Sequence, residues 1–82
     1  MTPQDLEKWL KEQVSQTLML PLDDIGLEDN LYELGIDSQD ALGIISDLDK
    51  KMGTQLPTTL IEEQKTISNI ASHVMSLTLA EA

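Results

Sequence analysis

The chain has no cysteine and no phenylalanine, a single tryptophan (Trp9), a single tyrosine (Tyr32) and a single histidine (His73), and only 5 basic residues against 15 acidic ones. Without cysteine there is no disulfide framework and no thiolate metal site, a composition that fits a reducing compartment and makes the cytoplasm the expected location. With so few aromatic rings, Leu, Ile, Val and Met must fill the core, and such side chains rearrange around a gap more readily than rings do. No segment approaches the roughly 20 apolar residues that cross a bilayer. Met1-Thr2-Pro3-Gln4-Asp5 also lacks the basic start and apolar run of a signal peptide.

Positive charge is missing from the whole middle of the chain. No Lys or Arg lies between Lys11 and Lys50, whereas Glu12, Asp23, Asp24, Glu28, Asp29, Glu33, Asp37, Asp40, Asp47 and Asp49 all do, and the formal net charge is −10. Repulsion disfavours nucleic acid and anionic membranes as partners, while basic enzyme surfaces are steered in. Acid also serves solubility, which is the plainer reading of the same charge. A length of 82 residues fits one domain spanning 1–82, expected to be monomeric, with a modest core.

What is present reads as helix. Thr2-Pro3 followed by Asp5 is an N-cap, a proline at the first helical position and acid in the first turn. Leu6, Trp9, Leu10, Val14 and Leu18 recur at helical spacing, so a first helix is predicted to about Met19, ended by Pro21. Residues 20–37 lose that period and gain Pro21, Gly26 and Gly35, which predicts a long loop anchored by Leu22, Ile25, Leu27, Leu31 and Leu34, with one helical turn at Leu31 to Leu34. Tyr32 is expected to pack. A second long helix is predicted from Asp37 or Ser38 to Met52, closed by Gly53 in a left-handed conformation. Its buried face is assigned to Ala41, Leu42, Ile45, Leu48 and Met52, with Gln39, Asp40, Gly43, Ser46, Asp47 and Lys50 pointing outward. Ile44 is placed outside the buried set as a partner contact. Leu56-Pro57-Thr58-Thr59-Leu60-Ile61-Glu62-Glu63 reads as a short capped turn, and Thr66 as the cap of a last helix carrying Ile67, Ile70, Ala71, Val74 and Leu77. The prediction is an all-α fold: a small four-helix bundle, three helices long and one short, with a long loop between helices one and two.

Chemistry concentrates at Glu33-Leu34-Gly35-Ile36-Asp37-Ser38-Gln39-Asp40, which places a serine where loop becomes helix. No neighbouring residue type supplies a general base, so the serine suits covalent attachment better than catalysis. A plain N-cap is the structural alternative, although Asp37 can take that role and free the hydroxyl.

Leu34-Gly35-Ile36-Asp37-Ser38 before an amphipathic helix, then Leu56-Pro57-Thr58-Thr59-Leu60-Ile61, then Thr66-Ile67, resembles the acyl carrier protein family over nearly the whole chain. The resemblance implies that Ser38 receives 4′-phosphopantetheine from coenzyme A through a phosphopantetheinyl transferase, that Asp37 aids loading, and that acyl groups ride on the arm as thioesters. No catalytic residue is expected and no metal site either, since no His or Cys pairing suggests zinc and Asp23-Asp24-Ile25-Gly26 lacks the alternating ligand spacing of a calcium loop. Partners implied are ketosynthases, acyltransferases or condensation enzymes, meeting a surface of Glu33, Gln39, Asp40, Gly43, Ile44 and Asp47. The chain departs from the family pattern at Gln39, where Leu is general, at Gly43, where fatty-acid carriers often have Glu, and at Gln64-Lys65-Thr66, where Pro commonly precedes the threonine. These departures point away from the housekeeping fatty-acid carrier, and Leu56-Pro57-Thr58-Thr59-Leu60-Ile61 resembles the carriers of polyketide synthases more closely. Asp29-Asn30-Leu31-Tyr32-Glu33-Leu34-Gly35, by contrast, is similar to the peptidyl carriers of nonribosomal synthetases. The chain reads as a discrete protein, and an excised module would read alike.

Two readings from other classes stand beside this one. An unmodified acidic adaptor predicts that Ser38→Ala keeps function. A Ser38–His73–Asp triad lacks the Gly-x-Ser-x-Gly elbow and the room for a pocket. Within the carrier reading, Leu42, Ile45, Ile61 and Leu34 are expected to part around an acyl chain.

Overall fold

The structure, a computed structural model, describes the backbone of residues 2–81 and the side chains of residues 2–78. Helix α1, Pro3–Leu18, opens on a reciprocal cap: the Thr2 hydroxyl accepts the Asp5 N–H at 3.1 Å and the Asp5 carboxylate accepts the Thr2 N–H at 3.3 Å. That pairing, and the backbone donor above all, holds the Asp5 carboxyl below its ordinary range. Leu6, Leu10 and Val14 form its buried stripe. The helix leaves through Met19 at φ 56, a left-handed conformation with the side chain 90 % exposed.

Pro21 precedes a single 3-10 turn, Leu22–Asp24, after which Ile25 drops into the core. The acidic loop is tied down at two backbone points: the Ser68 N–H donates to the Leu27 carbonyl at 3.0 Å and the Leu31 N–H to the Lys65 carbonyl at 2.9 Å. Helix α2, Leu31–Leu34, is capped by Asn30, whose side chain accepts from Tyr32 and Glu33 N–H. It stops at Gly35, where φ is 127 and a side chain would be strained. Helix α3, Ser38–Met52, ends as expected at Gly53 with φ 66. Helix α4, Leu60–Gln64, and helix α5, Ile67–Glu81, complete the chain, with the Thr66 hydroxyl accepting the Asn69 N–H at 3.1 Å.

No strand occurs among the described residues, and the all-α bundle is borne out, with α2 as a short helix of its own inside the long connection. Among the described residues, seventeen aliphatic ones from α1, the loop, α2, α3, α4 and α5 share one core, and α1 packs chiefly against α5. Each fully buried Leu, Ile or Val removes enough apolar surface from water for about 1.5–3 kcal/mol.

The structure corrects four details. Ile44 is 4 % exposed and belongs to the core, whereas Leu42 is 48 % exposed. At 100° per residue Ile44 lies about 60° from the Ala41–Ile45–Leu48 centre and Leu42 about 100° on the other side, so the outward apolar residue is Leu42. Leu22 and Leu27 are exposed, because backbone bonds and Ile25, Leu31 and Ile36 anchor the loop instead. The turn predicted at Leu56 becomes helical only at Leu60, since Thr58 and Thr59 form a turn closed by the Leu60 N–H on the Pro57 carbonyl, and Thr59 makes no side-chain cap. Tyr32 is 36 % exposed and does not join the core.

Candidate functional site

The start of α3 is built by two aspartates around one serine. Asp37, extended at φ −105 and ψ 179, is the N-cap: its Oδ1 accepts the Asp40 N–H at 2.8 Å, and the Asp40 Oδ2 accepts the Asp37 N–H at 3.3 Å. Because that box does the capping, Ser38 stands at the first helical position, exposed, and no hydrogen bond among the described residues engages its hydroxyl. The Ser38 and Gln39 N–H groups have no intrahelical acceptor, as at every helix start. An anion carried on Ser38 therefore meets the positive end of the helix dipole, worth about 0.3–1 kcal/mol, while Asp37 and Asp40 keep it turned toward solvent by like charge.

Ser38 also borders a groove of about 200 Å³ that it shares with Tyr32 of α2 and Glu62 of α4. His73 lies half-buried in α5 and is not among the groove's lining residues. Among the described residues no cluster of three His, Cys, Asp or Glu could hold a metal ion, and no helix is long and apolar enough to cross a membrane.

Of the surface expected from the sequence, Glu33, Gln39, Gly43 and Asp47 are exposed and Asp40 is half-buried. Ile44 is withdrawn into the core, and Leu42, one turn after Ser38, takes its place outside. Helical-wheel arithmetic carries that signal. No sequence signal brings Tyr32 and Glu62 to Ser38, since they lie on two separate short helices, α2 and α4.

A small helical bundle that caps a long helix with aspartate, and leaves the next hydroxyl free in solvent, is a scaffold for displaying a serine to other molecules. Residues 8–74 match the family described as phosphopantetheine attachment site, and the chain belongs to it. It is 31 % identical over 68 residues to the polyketide synthase PksM of Bacillus subtilis, a match covering 83 % of this chain and 2 % of that one. It is 39 % identical over 66 residues to the nonribosomal peptide synthetase fmqA of Aspergillus fumigatus, covering 80 % and 2 %. The chain thus spans about 2 % of the length of these curated relatives.

Two solved structures share its fold. The HMG-ACPI domain of the CurA module from Lyngbya majuscula has a TM-score of 0.87 at 15 % identity, covering 98 % of this chain and 81 % of that one. A free-standing peptidyl carrier protein from Acinetobacter baumannii has a TM-score of 0.87 at 21 % identity, covering 92 % and 94 %. The likeness read from the serine motif and its flanking helices is borne out: this is a carrier domain of the kind that occurs in polyketide and nonribosomal peptide synthesis, and it takes a covalent 4′-phosphopantetheine.

Proposed function

We propose that Ser38 is the residue that receives the arm, and that the chain carries acyl intermediates of polyketide assembly while acting as a substrate of its partners instead of a catalyst. The observation that carries this reading is the unengaged hydroxyl at the first position of α3, left free because Asp37 and Asp40 cap the helix between them. The arm, when attached, supplies a terminal thiol that holds acyl groups as thioesters. The chain's own contribution is to keep the serine exposed, to offer the helix N-terminus to the phosphate, and to surround it with acid. Asp37, adjacent and exposed, is the carboxylate placed to assist loading. Partners in this reading are a phosphopantetheinyl transferase and acyl-processing enzymes such as a ketosynthase, an acyltransferase or a condensation enzyme. They meet Glu33, Gln39, Asp40, Leu42, Gly43 and Asp47. The cysteine-free composition supports a cytoplasmic setting.

The decisive measurement is intact mass after incubation with coenzyme A and a broad-specificity transferase. The wild-type chain gains one arm and Ser38→Ala gains none. Since Ser38 does not cap α3, the variant's stability stays within about 0.5 kcal/mol of wild type. An arm on the alanine variant, or no arm on the wild type under any transferase, refutes the proposal.

Aminoacyl cargo is the second reading, favoured by the 39 % identity to a nonribosomal peptide synthetase. Trapping the group that native partners load separates the two.

A further inference from the structure

The five basic side chains are all lysines, and they are unevenly placed around Ser38. Lys50 and Lys51 occupy the last turn of α3, with twelve and thirteen residues of helix, about 18–20 Å at 1.5 Å each, between them and the serine. Lys8 and Lys11 lie in the first half of α1, whose other end, Leu18, is the one that reaches Gly35, so both are set back toward the opposite pole. Lys65 alone stands at the serine's end of the bundle. Glu62, three residues before it, lines a groove with Ser38 and Tyr32, and the Lys65 carbonyl accepts the N–H of Leu31, the chain neighbour of Tyr32, at 2.9 Å. The Lys65 side chain is exposed, and no hydrogen bond among the described residues engages its ammonium. Its backbone is strained: φ is 71, a value that suits glycine. The Lys65 N–H on the Ile61 carbonyl at 2.7 Å holds it there, together with the Thr66 N–H at 2.8 Å and the Asn69 side-chain amide at 3.1 Å, both on the Gln64 carbonyl. Strain that the surrounding bonds over-determine is a mark of functional positions.

We infer that Lys65 is a self-acylation site, whose amine takes the acyl group from the thioester carried on the chain's own arm. The inference rests on Ser38 being the attachment residue. The ammonium first gives a proton to solvent, and the neutral nitrogen then attacks the thioester carbonyl. A C–N bond forms as the C–S bond breaks, and the departing thiolate takes up a proton, leaving an amide on Lys65 and a free thiol on the arm. Tethering supplies the rate, because the amine nearest the anchor meets the thioester at the highest effective concentration, whereas an arm stretched toward Lys50 or Lys51 gives up most of its freedom. The acylated chain loses a positive charge, and with it the sole base among residues 52–82. Stalled cargo is thereby moved off the arm and fixed to the carrier's surface.

The test loads the full chain from acetyl-coenzyme A with a phosphopantetheinyl transferase, verifies the acetylated arm at Ser38 by intact mass and peptide mapping, removes the small molecules and incubates the protein in mildly alkaline buffer. Neutral hydroxylamine then strips thioesters and spares amides. The expected result is hydroxylamine-resistant acetyl that accumulates at Lys65 at a rate independent of protein concentration, about tenfold faster than at Lys8, Lys11, Lys50 or Lys51. Lys65→Arg, which keeps the charge and lacks the nucleophilic amine, loads equally well and keeps its acetyl group in the hydroxylamine-sensitive form. Ser38→Ala, given free acetyl-coenzyme A in equal amount, shows no preference for Lys65. Amides spread evenly over the five lysines, a rate that rises with protein concentration, the same preference for Lys65 in Ser38→Ala, or no amide at Lys65 on a chain shown to carry the acetylated arm each overturn the inference and leave the attachment at Ser38 standing. Absence of an arm at Ser38 by mass overturns both together.

Discussion

At Gly43, in the middle of the outer face of α3, an added Cβ meets nothing within 4 Å. Glycine in a helix interior costs about 0.5–1 kcal/mol relative to alanine. Gly43→Ala is therefore expected to raise stability by that amount in urea denaturation. The glycine also leaves bare the strip of helix between exposed Leu42 and Asp47, where a partner can approach the backbone. Asp5 gives a second prediction. Its folded-state carboxyl is held below the ordinary range by the Thr2 N–H and hydroxyl, so the cap's contribution is complete at neutral pH and is lost as pH falls through that lowered value. Proton titration followed by NMR should show the Asp5 midpoint rising toward the ordinary range in Thr2→Ala.

Among the elements, the connection from α3 to α4 is held by a single side chain in α3. Asp49 Oδ1 accepts the Thr54 hydroxyl at 3.0 Å and the Leu56 N–H at 2.9 Å, pinning the connection that delivers Glu62 to the groove. Asp49→Ala leaves both donors without their partner and should cost about 1–3 kcal/mol, with faster hydrogen exchange at Leu56, whereas Asp49→Asn, which keeps an acceptor, should lose less. Elements set by local chemistry were legible in the sequence: Thr2-Pro3 and Pro21 bracket α1, Asp37 and Gly53 bracket α3, and Thr66 opens α5. The serine was legible for the same reason, because a cap and its next residue are neighbours in the chain. Tertiary juxtaposition was not. Nothing in the residues around Leu22 and Leu27 says that backbone bonds to Ser68 and Lys65 hold that region, or that Tyr32 lines a groove together with Glu62. Leu42 and Ile44 show how a small angular offset decides burial when the apolar stripe is narrow.

For the molecule as a whole, the negative field is the dominant long-range property. Asp47→Lys removes one negative charge and adds one positive, taking the net charge from −10 to −8 on the exposed face of α3. Association with a basic partner should slow severalfold at low ionic strength, and the difference should vanish near 1 M salt, where the Debye length is about 3 Å. Stopped-flow mixing at two salt concentrations measures it, and equal rates at low salt would dismiss this face as the docking surface.

At the opposite end of α3 the Lys51 ammonium lies 5.5 Å from the centroid of the Trp9 ring. Thirteen residues at 1.5 Å each separate that lysine from Ser38, about 20 Å, well over twice the screening length of about 8 Å at physiological salt. The chain's sole indole therefore serves as a built-in fluorescent gauge of whether α1 and α3 are still together. Its emission follows unfolding and stays blind to whatever is tethered at the other pole.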